Sequence, residues 1–194
     1  MARPVFKAWI TRRIPEAAER STYVLMSSLA LIALFVAWQP MGGVIWNITH
    51  PVGAALMHVG FAFGWLLVLV TTFLINHFDL FGLRQVWKFA RGVPYRPLKF
   101  VTPGPYKLVR HPLYLGWLCA FWFTPTMTVA HLVFAIATSA YIFIAIRLEE
   151  RDLVAFHGED YVNYRRSTPM IVPALTRAAT PDTRQEQRAR RMAA

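Results

Sequence analysis

The chain has 194 residues, 56% of them hydrophobic, and a formal net charge of +11. There is no Lys, Arg, Asp or Glu from Ser21 to Phe78 or from Leu113 to Ile146, and charge-free runs of that length exclude an ordinary soluble domain, because a membrane-crossing helix needs about 20 mainly apolar residues. The single cysteine, Cys119, excludes an internal disulfide and a cysteine-based metal site.

In chain order, residues 1–20 form a basic N-terminus in which Pro15-Glu16-Ala17-Ala18-Glu19 resembles a helix start. The first apolar run begins near residue 22 with no small-residue cleavage pattern, so no cleavable signal peptide is expected. Span one is expected at about Thr22–Trp38. Gln39-Pro40-Met41-Gly42-Gly43 and Asn47-Ile48-Thr49-His50-Pro51 break the run, since proline and glycine punctuate helices for steric reasons. Span two follows at about Val52–Asn76.

The loop 77–111 carries Gly92, Pro94, Pro97, Pro103, Gly104 and Pro105, a composition that predicts irregular backbone where binding groups gather. Span three is expected at about Leu113–Phe123, too short to cross about 30 Å of hydrocarbon unaided. A break at Phe123-Thr124-Pro125-Thr126 turns the chain into span four, about Met127–Ile146, continuing as helix to about Phe156 with Gly158 as a left-handed cap. A short helical turn puts Tyr161 and Tyr164 on one face. Pro169 and Pro173 end the ordered part, and residues 174–194 are expected to be a disordered basic tail facing lipid. Residues 21–173 therefore read as one all-α integral membrane bundle of about four transmembrane helices.

Arg3, Lys7, Arg12, Arg13 and Arg20 precede span one. Seven Lys and Arg lie between spans two and three, and more follow span four, while the other two connections have none. The positive-inside rule then puts both termini in the cytoplasm, with the bacterial inner membrane as the expected location. Orientation and attraction to anionic headgroups account for the positive charge, so membrane lipids are expected partners and nucleic acid is not.

The chain has neither G-x-G-x-x-G nor G-x-x-x-x-G-K-[ST], and its histidines lack metal-ligand spacing. No metal is expected. Two polar clusters stand out. One is Tyr106-Lys107-Leu108-Val109-Arg110-His111-Pro112-Leu113-Tyr114, where a basic loop enters span three. The other is Arg147-Leu148-Glu149-Glu150-Arg151-Asp152, where span four ends. Each alone reads as an ordinary helix end with local ion pairs and interfacial aromatics. A hairpin sets Tyr106, His111 and Tyr114 beside Glu149 and Glu150. Aromatic faces, a helix N-terminus and two carboxylates suit a cationic, partly aromatic ligand with a carboxylate of its own.

Arg110-His111-Pro112-Leu113-Tyr114-Leu115-Gly116, Glu149-Glu150, Gly158-Glu159-Asp160-Tyr161-Val162-Asn163-Tyr164 and Pro169 to Pro173 together resemble the isoprenylcysteine carboxyl methyltransferase type of membrane methyltransferase, over roughly residues 98–173. The resemblance implies a cofactor site for S-adenosyl-L-methionine on the cytoplasmic face. Its residues are Val101, Tyr106, Arg110, His111, Pro112, Leu113, Tyr114, Glu149 and Glu150, with backbone of Leu98–Val101 as further lining. The segment Thr72–Trp87 and Thr124-Pro125-Thr126-Met127-Thr128 are similar to the bacterial branch of that family that methylates a small thiol, methanethiol, to dimethyl sulfide. The chain has fewer spans than the prenyl-protein branch, which fits a small substrate.

A thiol reacts as its thiolate, so the site must deprotonate it or hold the anion. His77, Asp79, Arg84 and Gln85 lie at the cytoplasmic end of span two. His77 and Asp79 are candidate bases and Arg84 a candidate anion stabiliser. The alternative is that Asp79 and Arg84 pair with each other while His77 caps a helix. Tyr164 and Arg165 are the residues expected to close the site over the substrate. The competing functions are a methyltransferase for a lipid amine or prenylcysteine carboxylate, a membrane reductase using NADPH, and a scaffold that binds anionic lipid without catalysis.

Overall fold

The computed structural model describes residues 8–39, 42–74, 77–95 and 101–173. A 3-10 turn at Glu16–Ala18 leads into helix α1 (Glu19–Ala37), which is followed by strand β1 (Val44–Asn47) and helix α2 (Pro51–Leu74). Two short helices, α3 (His77–Leu80) and α4 (Leu83–Ala90), come next. A second 3-10 turn at Gly104–Lys107 precedes α5 (Pro112–Trp122), β2 (Thr126–Thr128), α6 (Val129–His157) and α7 (Glu159–Ser167). Segments Glu16–Ala37, Pro51–Leu74 and Val129–His157 are each long and apolar enough to cross a membrane. α5 is apolar but has only 11 residues, so at 1.5 Å per residue it rises about 16 Å, roughly half of a hydrocarbon core. The four expected helices are present within a residue or three of their expected ends, and three of them have full spanning length.

Apolar side chains face outward as the lipid demands: Leu25, Leu29, Ile32 and Val36 of α1 and Leu56, Val59, Leu66 and Phe73 of α2 are exposed. What holds the helices together is therefore close fit rather than escape from water. α2 and α5 run antiparallel with their backbones nearly touching. A Cβ placed on Gly64 would sit 2.7 Å from Ala120 N and Gly116 O, and one on Gly116 would sit 2.8 Å from Gly64 O. Only hydrogen fits on either side. Thr71, fully buried, returns its hydroxyl to Leu67 O at 2.6 Å, which spares the apolar interior an open donor. α6 joins through Ile142 and Ile146, which pack with Ile171 against Tyr114, Leu115, Leu118 and Met170. Aromatic contacts continue outward from Phe121 to Phe134, and from Phe134 to Phe35 of α1 and to Trp38.

Three features differ from the sequence expectation. The two uncharged connections are not plain loops: β1 and β2 pair antiparallel, Val44 with Thr128 and Asn47 with Thr126, with a bulge between Val44 and Trp46. Trp46 donates from its indole to Thr124 O at 3.2 Å, and Met127 is fully buried. Four-residue and three-residue strands carry too little periodicity to be read locally, and they exist because each finds the other. The loop 77–111 is also more regular than its prolines and glycines suggest, containing α3, α4 and a 3-10 turn. Gly158 has a positive φ as expected, but with φ 58° and ψ −131° it lies outside the left-handed helical basin. It leads the chain directly from α6 into α7. The expected tail, residues 174–194, lies outside the described residues.

Gly116→Val should separate α2 from α5 and cost about 1–3 kcal/mol by overpacking. The midpoint of thermal unfolding in detergent is the measurement. Gly42→Ala, whose Cβ meets nothing within 4 Å, should leave that midpoint in place.

Candidate active site

Pro112 opens α5, where its fixed φ suits the first helical position and its missing N–H is not needed. Proline also expels the preceding residue from the helical region, and His111 sits at φ −124°, ψ 62°. Residues 110 and 111 thereby stay outside the helix. Their N–H groups donate to Pro169 O at 2.8 Å and Met170 O at 3.1 Å. A strap formed by Thr168, Pro169 and Met170 is thus laid along the start of α5, and it brings α7 with it.

Arg110 completes this junction. Its Nε donates to Glu150 Oε1 at 2.7 Å, and its Nη1 donates to Arg165 O at 2.9 Å and Thr168 O at 2.6 Å. One guanidinium thus ties α6, α7 and the strap together. The same carboxylate oxygen takes His111 Nε2 at 3.1 Å. A carboxylate only accepts, so Nε2 carries the proton. His111 is 5% exposed and the Glu150 side chain 13%. Glu149, one residue earlier, behaves differently. Its side chain is 47% exposed, its Oε2 lies 4.0 Å from His111 Nδ1, and its charge acts on the nearby Tyr114 hydroxyl. The imidazole and the Tyr114 ring lie 5.7 Å apart, tilted by 35°.

Tyr164, on α7, donates its hydroxyl to Tyr106 O at 2.6 Å and meets Tyr161 edge-on at 5.8 Å. Burial pushes the Tyr164 phenol up to about 12, with Arg110 opposing the shift and Glu150 adding to it. Burial likewise raises Tyr106, reinforced by the charge of Glu149. Tyr164 thus links α7 to the Gly104–Lys107 turn. Arg165 contributes its carbonyl to Arg110 while its side chain is exposed.

The structure brings together Tyr106, Arg110, His111, Pro112, Tyr114, Glu149, Glu150 and Tyr164. Leu113 adjoins them on α5, half-buried. Val101 is 71% exposed, and the backbone at 98–100 expected beside it lies outside the described residues. Asp79, Arg84 and Gln85 form a second cluster. Arg84 Nη1 and Gln85 Nε2 both approach Asp79 Oδ1 at 3.5 Å. The His77 side chain lies outside the described residues. Tyr95, which sequence reasoning missed, donates to Asp79 across both oxygens, at 3.1 and 3.2 Å. Burial, then the Asp79 contact, raises its phenol. Sixteen positions and the short helix α4 separate the pair, so no local spacing announces it. The two clusters share one end of the molecule. Gly104, which opens the Tyr106 turn, sits against Leu74 at the end of α2, three residues before His77.

The chain is 61% identical over 175 residues to the methanethiol S-methyltransferase of Crocosphaera subtropica, covering 90% of this chain and 69% of that protein. The chain belongs to the methanethiol S-methyltransferase family. A second member of that family, from Mycobacterium tuberculosis, is 49% identical over 173 residues, with 89% of this chain and 71% of that protein covered. More distantly, nurim of Xenopus laevis is 31% identical over 146 residues, half of that protein's length. No family model matches the chain, and no solved structure matches it.

Arg110→Gln should strand Glu150 in a largely buried position and free the α7 strap. Loss of one partner from such a pair costs about 3–5 kcal/mol, seen as a lower unfolding midpoint and faster proteolysis after residue 157. Stability should also fall at high pH. A raised phenol favours the folded state fully below its ordinary value near 10 and loses that contribution as pH passes through about 12. Tyr164→Phe should flatten part of that decline, checked by unfolding scans between those limits.

Proposed function

We propose that this chain is an integral membrane enzyme that transfers a methyl group from S-adenosyl-L-methionine to methanethiol, giving dimethyl sulfide. The observation that carries the reading is the 61% identity across 90% of the chain to a protein named for that reaction. Three helices of spanning length, with cations confined to the ends and connections that the positive-inside rule assigns to one side, support a bundle with both termini cytoplasmic in a bacterial inner membrane. α5 completes it as a fourth, shorter membrane segment. The β1–β2 ribbon pairs its own backbone groups where α5 stops short, as lipid requires.

The residues present suit the proposed donor. Glu149 is a half-exposed carboxylate flanked by Tyr106 and Tyr114, an anionic and aromatic setting of the kind that holds organic cations. Tyr106, Leu113, Tyr114 and Glu149 would hold it, with Val101 at the outer edge. When bound, S-adenosyl-L-methionine supplies an electrophilic methyl group on a cationic sulfur. Arg110, Pro112 and Glu150 frame this wall, and Tyr164 and Arg165 close α7 over it. On the thiol side, Arg84 offers a cation toward the sulfur anion, with Asp79 and Gln85 orienting it and His77 at the head of α3. Positioning of two reactants accounts for much of the rate in such a site. Methanethiol is small and apolar enough to arrive through the bilayer.

Membranes containing this chain, given S-adenosyl-L-methionine and methanethiol, should release dimethyl sulfide into the headspace, detected by gas chromatography, whereas membranes without it should not. Glu149→Ala should lower the yield at limiting donor by about tenfold or more, as expected when a charge contact is removed. Binding of the donor without dimethyl sulfide would transfer the reading to a lipid or prenylcysteine acceptor.

A further inference from the structure

The geometry points to His111 Nδ1 as the group that takes the proton from the thiol, with Glu150 as the residue that positions it. This rests on the reading of the chain as a thiol methyltransferase, and it gives the His111 side chain the role of proton acceptor in place of the donor-binding role that the resemblance implies for that position. His111 Nε2 donates to Glu150 Oε1 at 3.1 Å. The proton is then committed to Nε2, and Nδ1 presents its lone pair. A carboxylate that fixes one imidazole nitrogen so that the other serves as base is the arrangement by which buried histidines activate weak nucleophiles. Among the described residues, Nδ1 has nothing within hydrogen-bond distance, the nearest acidic oxygen being Glu149 Oε2 at 4.0 Å.

Charged and polar groups from three elements surround the ring. From α6, Glu149 and Glu150 both face the ring. From its own segment come Arg110, paired with Glu150 at 2.7 Å, and the Tyr114 ring. From α7, Tyr161 interacts with Glu150 and Arg110, and from the strap Met170 O holds the His111 backbone N–H. The resting site holds Arg110 against Glu150, so a proton arriving at Nδ1 faces the remaining charge of Glu149. Asp79 is less suited to the task. Both its oxygens already accept from Tyr95, and Oδ1 also meets Arg84 and Gln85.

In the step, the S–H bond of methanethiol breaks and its proton passes to Nδ1. The sulfur electron pair forms the new bond to the methyl carbon. The old carbon–sulfur bond breaks with its pair retained by the donor sulfur, which ends neutral. The imidazolium then returns its proton to water by way of Glu149, whose side chain is 47% exposed.

His111→Gln keeps an amide N–H for Glu150 and removes the base. In proteoliposomes, binding of tritiated S-adenosyl-L-methionine should stay within about threefold of wild type, while turnover of methanethiol near neutral pH falls about 100-fold. The variant depends on thiol that is already ionised, so its rate should climb about tenfold per pH unit toward alkaline pH. Thiophenol, ionised near neutrality without help, should be methylated within about fivefold of wild type. In the unmodified protein, kcat/KM for methanethiol should fall about tenfold per pH unit on the acid side as Nδ1 becomes protonated. Donor binding lost in step with turnover would make His111 a binding residue and overturn the assignment. So would a pH profile for the variant that parallels wild type, or an unmodified protein with no acid limb. Wild-type membranes that make no dimethyl sulfide would remove the underlying reading and this assignment together.

Discussion

Glu150 Oε1 accepts from two donors at once, Arg110 Nε at 2.7 Å and His111 Nε2 at 3.1 Å, and the polar end of the molecule is organised around that shared oxygen. Because the two donors are adjacent in sequence, the oxygen fixes the chain at the point where loop becomes α5. Because Arg110 also reaches the carbonyls of Arg165 and Thr168, the same charge fixes where α7 ends. A carboxylate 13% exposed would be costly alone. With a guanidinium and an imidazole on it, it becomes a polar junction beside the apolar cluster of Ile142, Ile146 and Ile171. Tyr161, 2% exposed, fills the space that the junction encloses.

Below this junction the rules of packing change. Lipid offers no hydrophobic drive for one helix to bury itself against another, so α2 and α5 associate by bringing backbones together at Gly64 and Gly116. That contact sets the register of α5, and hence the depth at which His111 and Pro112 stand. The β1–β2 ribbon sets it from the other end. Ile48 N donates to Pro125 O at 2.8 Å, which ties the entrance of α2 to the exit of α5. A helix of 11 residues would be free to slide in a bilayer if it were held at only one end. Held at both, it delivers the N-terminal residues of α5 to the same level as Glu149 and Glu150.

Much of this was legible in the sequence because lipid and water leave large compositional marks. The charge-free runs placed the four helices to within a few residues, and Arg110-His111-Pro112 and Glu149-Glu150 marked the residues that meet. What composition could not show was how each charged group is spent. Arg110 reads as a ligand-binding cation, yet its donors go to one side chain and two carbonyls supplied from 40 to 58 positions away. Tyr95 hides in a proline-rich stretch because its partner Asp79 lies beyond α4. The two strands were invisible because neither is stable without the other. In each case the missing information was long-range pairing, which leaves no period and no spacing in a single chain.

The placement of the junction also suits the chemistry. A thiolate and a cationic methyl donor combine to give neutral products, so charge is lost along the reaction coordinate. Water stabilises the separated charges more than the transition state, and a site with little water reverses that advantage. The cost of such a site is that the thiolate is hard to form there, since burial also disfavours ionisation. A base held in place by a carboxylate eases that difficulty, because the proton has a fixed acceptor as the sulfur attacks. The His111–Glu150 pair provides this at the lip of the apolar bundle, with Glu149 leading back to water. A base deeper in α5 would have no exit for its proton, and one further into the basic loop would lose the dry surroundings that favour the transfer.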